Sequence, residues 1–192
     1  MPVPEIRTDR LTLRGWADED RAAYSAINAD PAVMATLGPL QTREQTDAHI
    51  DRMSAGWTGR GFGLWCVDLD GECIGFTGLN EPWFEEHFTR QAHAAGHPCV
   101  EVGWRLASRR WGNGYATEAA RAALVFAFDI VGVPEVVSFT SATNTKSRRV
   151  MEKLGMTQDP SGGFDHPGVA PGSSLNPHVL YRISAPGSSI VR

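Results

Sequence analysis

Residues Val100 to Val131, VEVGWRLASRRWGNGYATEAARAALVFAFDIV, decide how the rest of the chain is read. The opening run Val100–Leu106 has the composition of a mostly buried strand. After Arg109-Arg110-Trp111-Gly112-Asn113-Gly114, Ala116, Ala119, Ala120, Ala123, Leu124, Ala127 and Val131 recur at three- and four-residue steps. That spacing predicts a helix with one apolar stripe toward a core, and Gly132 and Pro134 stop it. A strand, a glycine-bearing turn and a helix N-terminus make an anion site, because the first helical N–H groups lack intrahelical acceptors and the helix dipole adds positive potential there. Gly112 and Gly114 carry no Cβ, so backbone amides can approach a phosphate, and Arg109 and Arg110 add charge beside them. The alternative is a tight strand-to-helix connection with solvated arginines. The dinucleotide fingerprint fails at Thr117, where it needs glycine, and no Gly-Lys-Ser/Thr triplet of a nucleotide P-loop occurs.

At 192 residues the chain reads as a single domain, 1–192, with its core over about 8–183. Its 42% hydrophobic and 21% charged content is that of a globular protein. A formal charge of −4 without a dense Lys/Arg run argues against nucleic acid as partner. No signal-peptide core or bilayer-length apolar run occurs, so no membrane association is expected and the cytoplasm is the expected compartment. Cys66, Cys73 and Cys99 are too few and too irregular for a disulfide framework, and the first two read as small buried side chains. A homodimer is left open.

Within Ile6–Arg14, the alternating segment Leu11–Arg14 reads as a first strand, Asp18 as the cap of a helix to about Asn28 with Ala22, Ala23, Ala26 and Ile27 inward, and Asp30-Pro31 as the start of a short helical piece. Thr42-Arg43-Glu44-Gln45 is a capping box for a helix to about Ser54, followed by a loop marked by Gly59, Gly61 and Gly63. Leu64–Val67 and Ile74–Leu79 read as a hairpin turned at Asp68–Gly71. Glu81–Pro98 reads as an irregular surface loop. Its His87, His93 and His97, with Cys99 beyond, lack the spacing of a zinc site, so no metal is expected. Glu135–Ser141 is the natural parallel partner of Val100–Leu106, with the helix between them as a right-handed crossover. A helix follows from Asn144 to Leu154, with Val150, Met151 and Leu154 inward. Asp159–Pro177 reads as a long loop, His178–Ile183 as the last strand, and Ala185–Arg192 as a frayed tail.

Two of these segments carry a resemblance. Arg109-Arg110-Trp111-Gly112-Asn113-Gly114 matches in full the acyl-CoA loop of the GNAT N-acetyltransferases, Arg/Gln-x-x-Gly-x-Gly/Ala. Trp111–Ala119 resembles the branch that includes the ribosomal-protein N-terminal acetyltransferases (RimJ/RimL-like), and so does the opening Thr8–Arg14. Asn144 to Met156 is similar to the family's second signature. The resemblance implies an α/β acyltransferase fold: a mixed, mostly antiparallel sheet splayed between two parallel strands, with helices on both faces. It implies acetyl-CoA as co-substrate and an amine acceptor, either a protein N-terminus or a small molecule, acetylated by direct attack in a ternary complex.

The implied coenzyme contacts are main-chain groups of Trp104, Arg105 and Leu106, the loop Arg109, Arg110, Trp111, Gly112, Asn113, Gly114, then Tyr115 and Ala116, and the side chains of Asn144 and Ser147. Many relatives place a tyrosine acid four residues after the Ser147 position. Here that residue is Met151, which leaves Ser147 or water to meet the leaving thiolate and admits a non-catalytic acyl-CoA-binding module as the alternative. Glu101 stands where some relatives carry a base acting through water, and strand alternation turns it opposite to Val100. A paired or strand-edge carboxylate is its other reading, and Glu81 and Asp165 are alternative bases. In the fold it resembles, the loop before the last strand walls the acceptor pocket, which implies Asp165 and His166 as acceptor contacts, against an ordered turn closed by a local Asp–His hydrogen bond.

Overall fold

The computed structural model describes residues 2–187, so residues 188–192 of the expected tail lie outside the described residues. The chain opens with β1 (Ile6–Arg7) and β2 (Thr12–Arg14), paired antiparallel with Ile6 opposite Leu13. The strand expected at Leu11–Arg14 is thus present as β2, and β1 adds a short hairpin partner before it. Thr8 makes the bend, donating its amide to the Leu11 carbonyl while its hydroxyl accepts from the Leu11 amide.

α1 (Asp20–Asn28) starts two residues after the expected cap. The Asp18 carboxylate accepts from Arg21, and Asp20 takes the Ala17 amide at 2.8 Å. Its buried apolar residues are Tyr24 and Ile27, while Ala22 and Ala26 face outward. An aromatic ring buries far more apolar area than a methyl, so Tyr24 rather than the alanines sets the inner face. α2 (Pro31–Met34) is capped by Asp30, whose carboxylate accepts from the Ala32 amide at 2.8 Å. α3 (Arg43–Arg60) has the expected Thr42–Gln45 capping box but continues past Ser54 to Gly61. Gly56 and Gly59 each cost about 1 kcal/mol of helix propensity. Ile50, Met53 and Trp57 bury one face and carry the helix through them.

β3 (Leu64–Leu69) and β4 (Glu72–Asn80) form the expected hairpin around Asp70-Gly71, both at positive φ (55° and 83°), the signature of a type I′ turn. The Glu81–Pro98 segment is not irregular throughout: it holds α4 (His87–Ala94). Phe88 and Ala92 lie one turn apart and are buried, and Glu86 with Thr89 closes a capping box. β5 (Val100–Leu106) follows, then a 3₁₀ turn at Ser108–Arg110, α5 (Tyr115–Phe126), a π-helical turn at Ala127–Val131, and β6 (Glu135–Ser141). α6 (Thr145–Lys153) is bounded by Asn144 and Leu154 as expected. β7 (Thr157–Gln158) and β8 (Phe164–Asp165), both missed in the sequence, pair antiparallel with β9 (Pro177–Ser184).

The chain divides into two compact units, one comprising residues up to Asn80 with Gly103–Ala123, the other Glu81–Val102 with the residues from Leu124 on. In the first, β2 pairs β3 and β3 pairs β4, all antiparallel. Tyr24, Ile27, Val33, Met34, Ile50, Met53, Phe76 and Ala107 make its core, with Trp16, Leu64 and Trp111 packed against them. In the second, β5 and β6 pair in parallel at Val100↔Val136 and Glu101↔Val137, and β6 pairs antiparallel with β9 along its whole length. Phe84, Phe88, Ala92, Cys99, Val137 and Leu180 form the core there. No helix among the described residues is long and apolar enough to cross a membrane.

Candidate active site

In the first unit, the run from β5 into α5 builds an anion cradle. Gly112 sits at φ +81°, with nothing within 4 Å of where a Cβ would lie, so a side chain there would be strained and would stand in the approach to the loop. The Arg110 and Trp111 amides donate to the Ala107 and Ser108 carbonyls. Among the described residues no such acceptor meets the Gly112, Asn113 and Gly114 amides, and Tyr115 and Ala116 open the helix, where N–H groups are free by geometry. The cradle thus fits a phosphate-bearing ligand.

Its charge differs from that of two solvated arginines. Arg109 and Arg110 both pair with Glu72, whose carboxyl is held below its usual range by Arg110 and then Arg109. A further cation comes from outside the motif. Arg10 donates to the Asn113 carbonyl at 2.9 Å, lies 4.6 Å over the Tyr115 ring and binds Glu118. Glu118 also accepts from the Thr8 hydroxyl at 2.6 Å and the Arg10 amide at 2.9 Å. Burial alone would raise the Glu118 pKa, but these hydrogen bonds from Thr8 and Arg10 prevail and lower it. The sequence reading missed this brace, because its partners lie 108 and 110 residues apart.

On β5, Trp104 is half-buried and the Leu106 carbonyl accepts from the Trp111 indole at 3.0 Å. Gly75 lies so close to this strand that a Cβ would fall 2.0 Å from the Arg105 carbonyl oxygen, which excludes any side chain there. The Arg105 side chain turns to Asn28 (2.6 Å) and stands 5.7 Å from the Phe76 ring centre. Tyr24 and His49 share a hydrogen bond of 3.0 Å beside it. Burial, and then the Arg105 charge, push the His49 pKa down to about 4, so that imidazole is neutral at physiological pH.

The second unit holds the remaining candidates. Glu101 is half-buried on β5, and its carboxyl makes no hydrogen bond or ion pair among the described residues. Burial pushes its pKa up to about 8. Cys99, two residues before it and just ahead of β5, has its thiol pushed up to about 12 by burial and then by the Glu101 charge, with Glu135 and Glu81 adding to it. Glu135 is paired to Arg182 at 2.7 Å. Asn144 is buried at the start of α6, where its Oδ1 accepts from the Ser147 amide at 3.1 Å. Ser147 is half-buried and Met151 fully buried.

Asp165 is exposed on β8 and makes no bond to His166, so the Asp–His turn is not formed. Instead the His166 Nδ1 accepts from the Gly168 amide at 3.0 Å, and its ring lies 4.8 Å from that of His178. Around this pair stand Trp83, Phe84, Phe139 and Phe164. The sequence named only His166 of this cluster. Its other members come from the 81–98 segment, β6, β8 and β9, and only the folding of these distant segments joins them. Of groupings able to hold a metal, Asp20, Cys66 and Cys73 come together among the described residues, and Asp20 is bound by Arg14 at 2.7 and 2.9 Å.

The acetyltransferase (GNAT) domain profile matches residues 10–157. The chain is 32% identical over 155 residues to the uncharacterized protein YkkB of Bacillus subtilis (strain 168), covering 79% of this chain and 84% of that one. It is 31% identical over 157 residues to the FsC-acetyl coenzyme A-N(2)-transacetylase of Aspergillus fumigatus, covering 80% of this chain and 65% of that protein. The crystal structure of an acetyltransferase from Agrobacterium tumefaciens str. C58 superposes with a TM-score of 0.73 at 34% identity, over 95% of each chain. RimL, the ribosomal L7/L12 alpha-N-protein acetyltransferase in complex with coenzyme A, shares the fold at a TM-score of 0.73 and 15% identity, over 95% of this chain and 98% of that one. The expected α/β acyltransferase fold and the acetyl-CoA-dependent chemistry both hold: the chain belongs to the GNAT acetyltransferase family.

Proposed function

We propose that this protein moves the acetyl group of acetyl-CoA to a primary amine by direct attack in a ternary complex, with Glu101 as the base. The observation that carries the reading is the Glu101 carboxyl, half-buried, unpaired among the described residues and raised by desolvation to about 8. A general base works best with a pKa near the operating pH, and an ordinary carboxylate is too weak for an ammonium. Glu101 takes one proton from the incoming ammonium, directly or through water. The freed amine then attacks the thioester carbon. Amides of Trp104 to Leu106 offer donors for the oxyanion. The carbon–sulfur bond breaks, and the thiolate departs without a strong acid because thiol pKa values lie near 8.5. Ser147 or water then supplies its proton, Met151 having no group that can.

The Arg109–Ala116 segment is the proposed seat of the diphosphate, with Asn144 and Ser147 toward the pantetheine arm. Acetyl transfer to nitrogen is supported by the similarity to the Aspergillus N(2)-transacetylase. Following free thiol during incubation with acetyl-CoA and a panel of primary amines tests the reading. Amine-dependent thiol release that falls at least ~100-fold in Glu101→Gln is the expected result, the usual scale of general-base catalysis. Coenzyme binding with no turnover on any amine would instead make the chain an acyl-CoA-binding module.

A further inference from the structure

Strand register turns Glu101 and the aromatic cluster of the second unit to one side of the sheet. Glu101 is the parallel partner of Val137, so their side chains share a face. Two and four residues further along β6 come Phe139 and Ser141, opposite Leu180 and His178, and Phe164 lies opposite His178 in turn. At about 3.3 Å per residue, Phe139 stands roughly 7 Å and His178 roughly 13 Å along the strand from the level of Glu101.

Part of this cluster is core and part is not. Phe84 and Phe88 are buried, but Phe139, Phe164, His166 and His178 are half-buried, and Trp83 is 73% exposed. Trp83 meets Phe84 at 5.4 Å and His166 at 6.4 Å between ring centres. The indole therefore extends the π wall outward while burying little of itself.

The wall also has a defined polarity. Burial lowers the pKa of both imidazoles, and the neighbouring His178 lowers that of His166 further. The His178 Nδ1 faces the Asn176 carbonyl at 2.9 Å and must carry hydrogen, which leaves Nε2 as an acceptor. The His166 Nδ1 accepts from the Gly168 amide, which leaves Nε2–H as a donor. The flanking segments bring Glu81, Glu85, Glu86 and Asp165, against Arg90 on α4 and an Arg182 already matched by Glu135 and Asp159. Neutral π faces attract an ammonium and a flat ring, and the Asp165 charge, which acts on His178, adds to the preference for a cation.

We propose that Trp83, Phe139, Phe164, His166 and His178 form the acceptor subsite, and that the acceptor is a primary amine carried on a flat aromatic or heteroaromatic body. The proposal rests on the reading of Glu101 as the amine's base, which places the amino group at one end of this wall and the ring along it.

The test uses the full chain at saturating acetyl-CoA and compares 2-phenylethylamine with 2-cyclohexylethylamine. These amines match in length and differ in the π system, and because the phenyl ring makes its amine the weaker base the rates are compared per free amine. Calorimetric titration of both amines gives binding without turnover. The expected result is a kcat/KM at least fivefold higher for the aromatic amine, a preference lost in Trp83→Leu and kept in Trp83→Phe, with tryptophan position 83 too exposed for either change to unfold the chain. Equal rates for the two amines, unaltered in Trp83→Leu, overturn the subsite and leave acetyl transfer standing. Aromatic-selective binding without thiol release supports the subsite and overturns the role of Glu101. Absence of both binding and turnover, or preference for a linear diamine or a peptide N-terminus, overturns the subsite.

Discussion

Replacing Glu101 by glutamine tests the site through stability as well as rate. The folded protein holds this carboxyl at about 8, against an ordinary value of 4.5. Between those values the folded state binds a proton that the unfolded chain has released, so stability falls as pH rises through the window. At about 1.4 kcal/mol for each tenfold in proton affinity, full ionisation costs a ceiling of about 5 kcal/mol. Glutamine keeps the shape and removes the titration. The variant should match the wild type below pH ~4.5 and exceed it increasingly up to pH ~8. For a chain of this length, each kcal/mol moves Tm by about 2–4 °C, a ceiling near 10–20 °C that water penetration reduces. Thermal melts of both proteins from pH 4 to 9 measure the difference directly, since every other titrating group is common to both. The kinetic counterpart is a wild-type kcat/KM whose pH profile bends near 8, and a variant that lacks this bend and simply follows the fraction of free amine. Parallel Tm curves across the whole range would refute the argument, because they would mean that the carboxyl titrates as if in water.

Three further outcomes are expected. Arg10→Ala removes the donor that holds the Asn113 carbonyl and the cation over Tyr115, so KM for acetyl-CoA should rise about tenfold with kcat nearly unchanged, read from initial rates. Asn144→Ala deletes the oxygen that caps the Ser147 amide and should cost about 1 kcal/mol, a Tm drop of a few degrees. Asp20→Asn weakens the Arg14–Asp20 pair and should cost about 2 kcal/mol at neutral pH, read in urea melts. Burial would raise the Asp20 carboxyl, but Arg14 and the Ala17 amide hold it lower than usual. This stabilisation is therefore complete above the ordinary carboxylate range, and the gap between wild type and Asp20→Asn should close as pH falls below about 4.

How much was legible depended on how local the cause was. The strand at Val100–Leu106, the cap at Thr42 and the turn at Asp70-Gly71 follow from side-chain alternation, hydrogen bonding three residues apart and two positive φ angles, all visible in a few residues. The helix hidden in Glu81–Pro98 was not, because its stability comes from Phe88 and Ala92 entering a core completed by Val137 and Leu180, which are far along the chain. The same holds for α3, carried through Gly56 and Gly59 by the burial of Met53 and Trp57.

By itself the sequence determined the strand–loop–helix order, the glycine loop and the family's two signatures, since each is a matter of spacing along the backbone. Only the tertiary structure decided that Glu118 and Arg10 brace that loop, that Glu72 neutralises part of its arginine charge, and that Glu101 titrates near 8. Water exclusion and pairing across distant strands are properties of three-dimensional neighbours, and no periodicity in the chain encodes them.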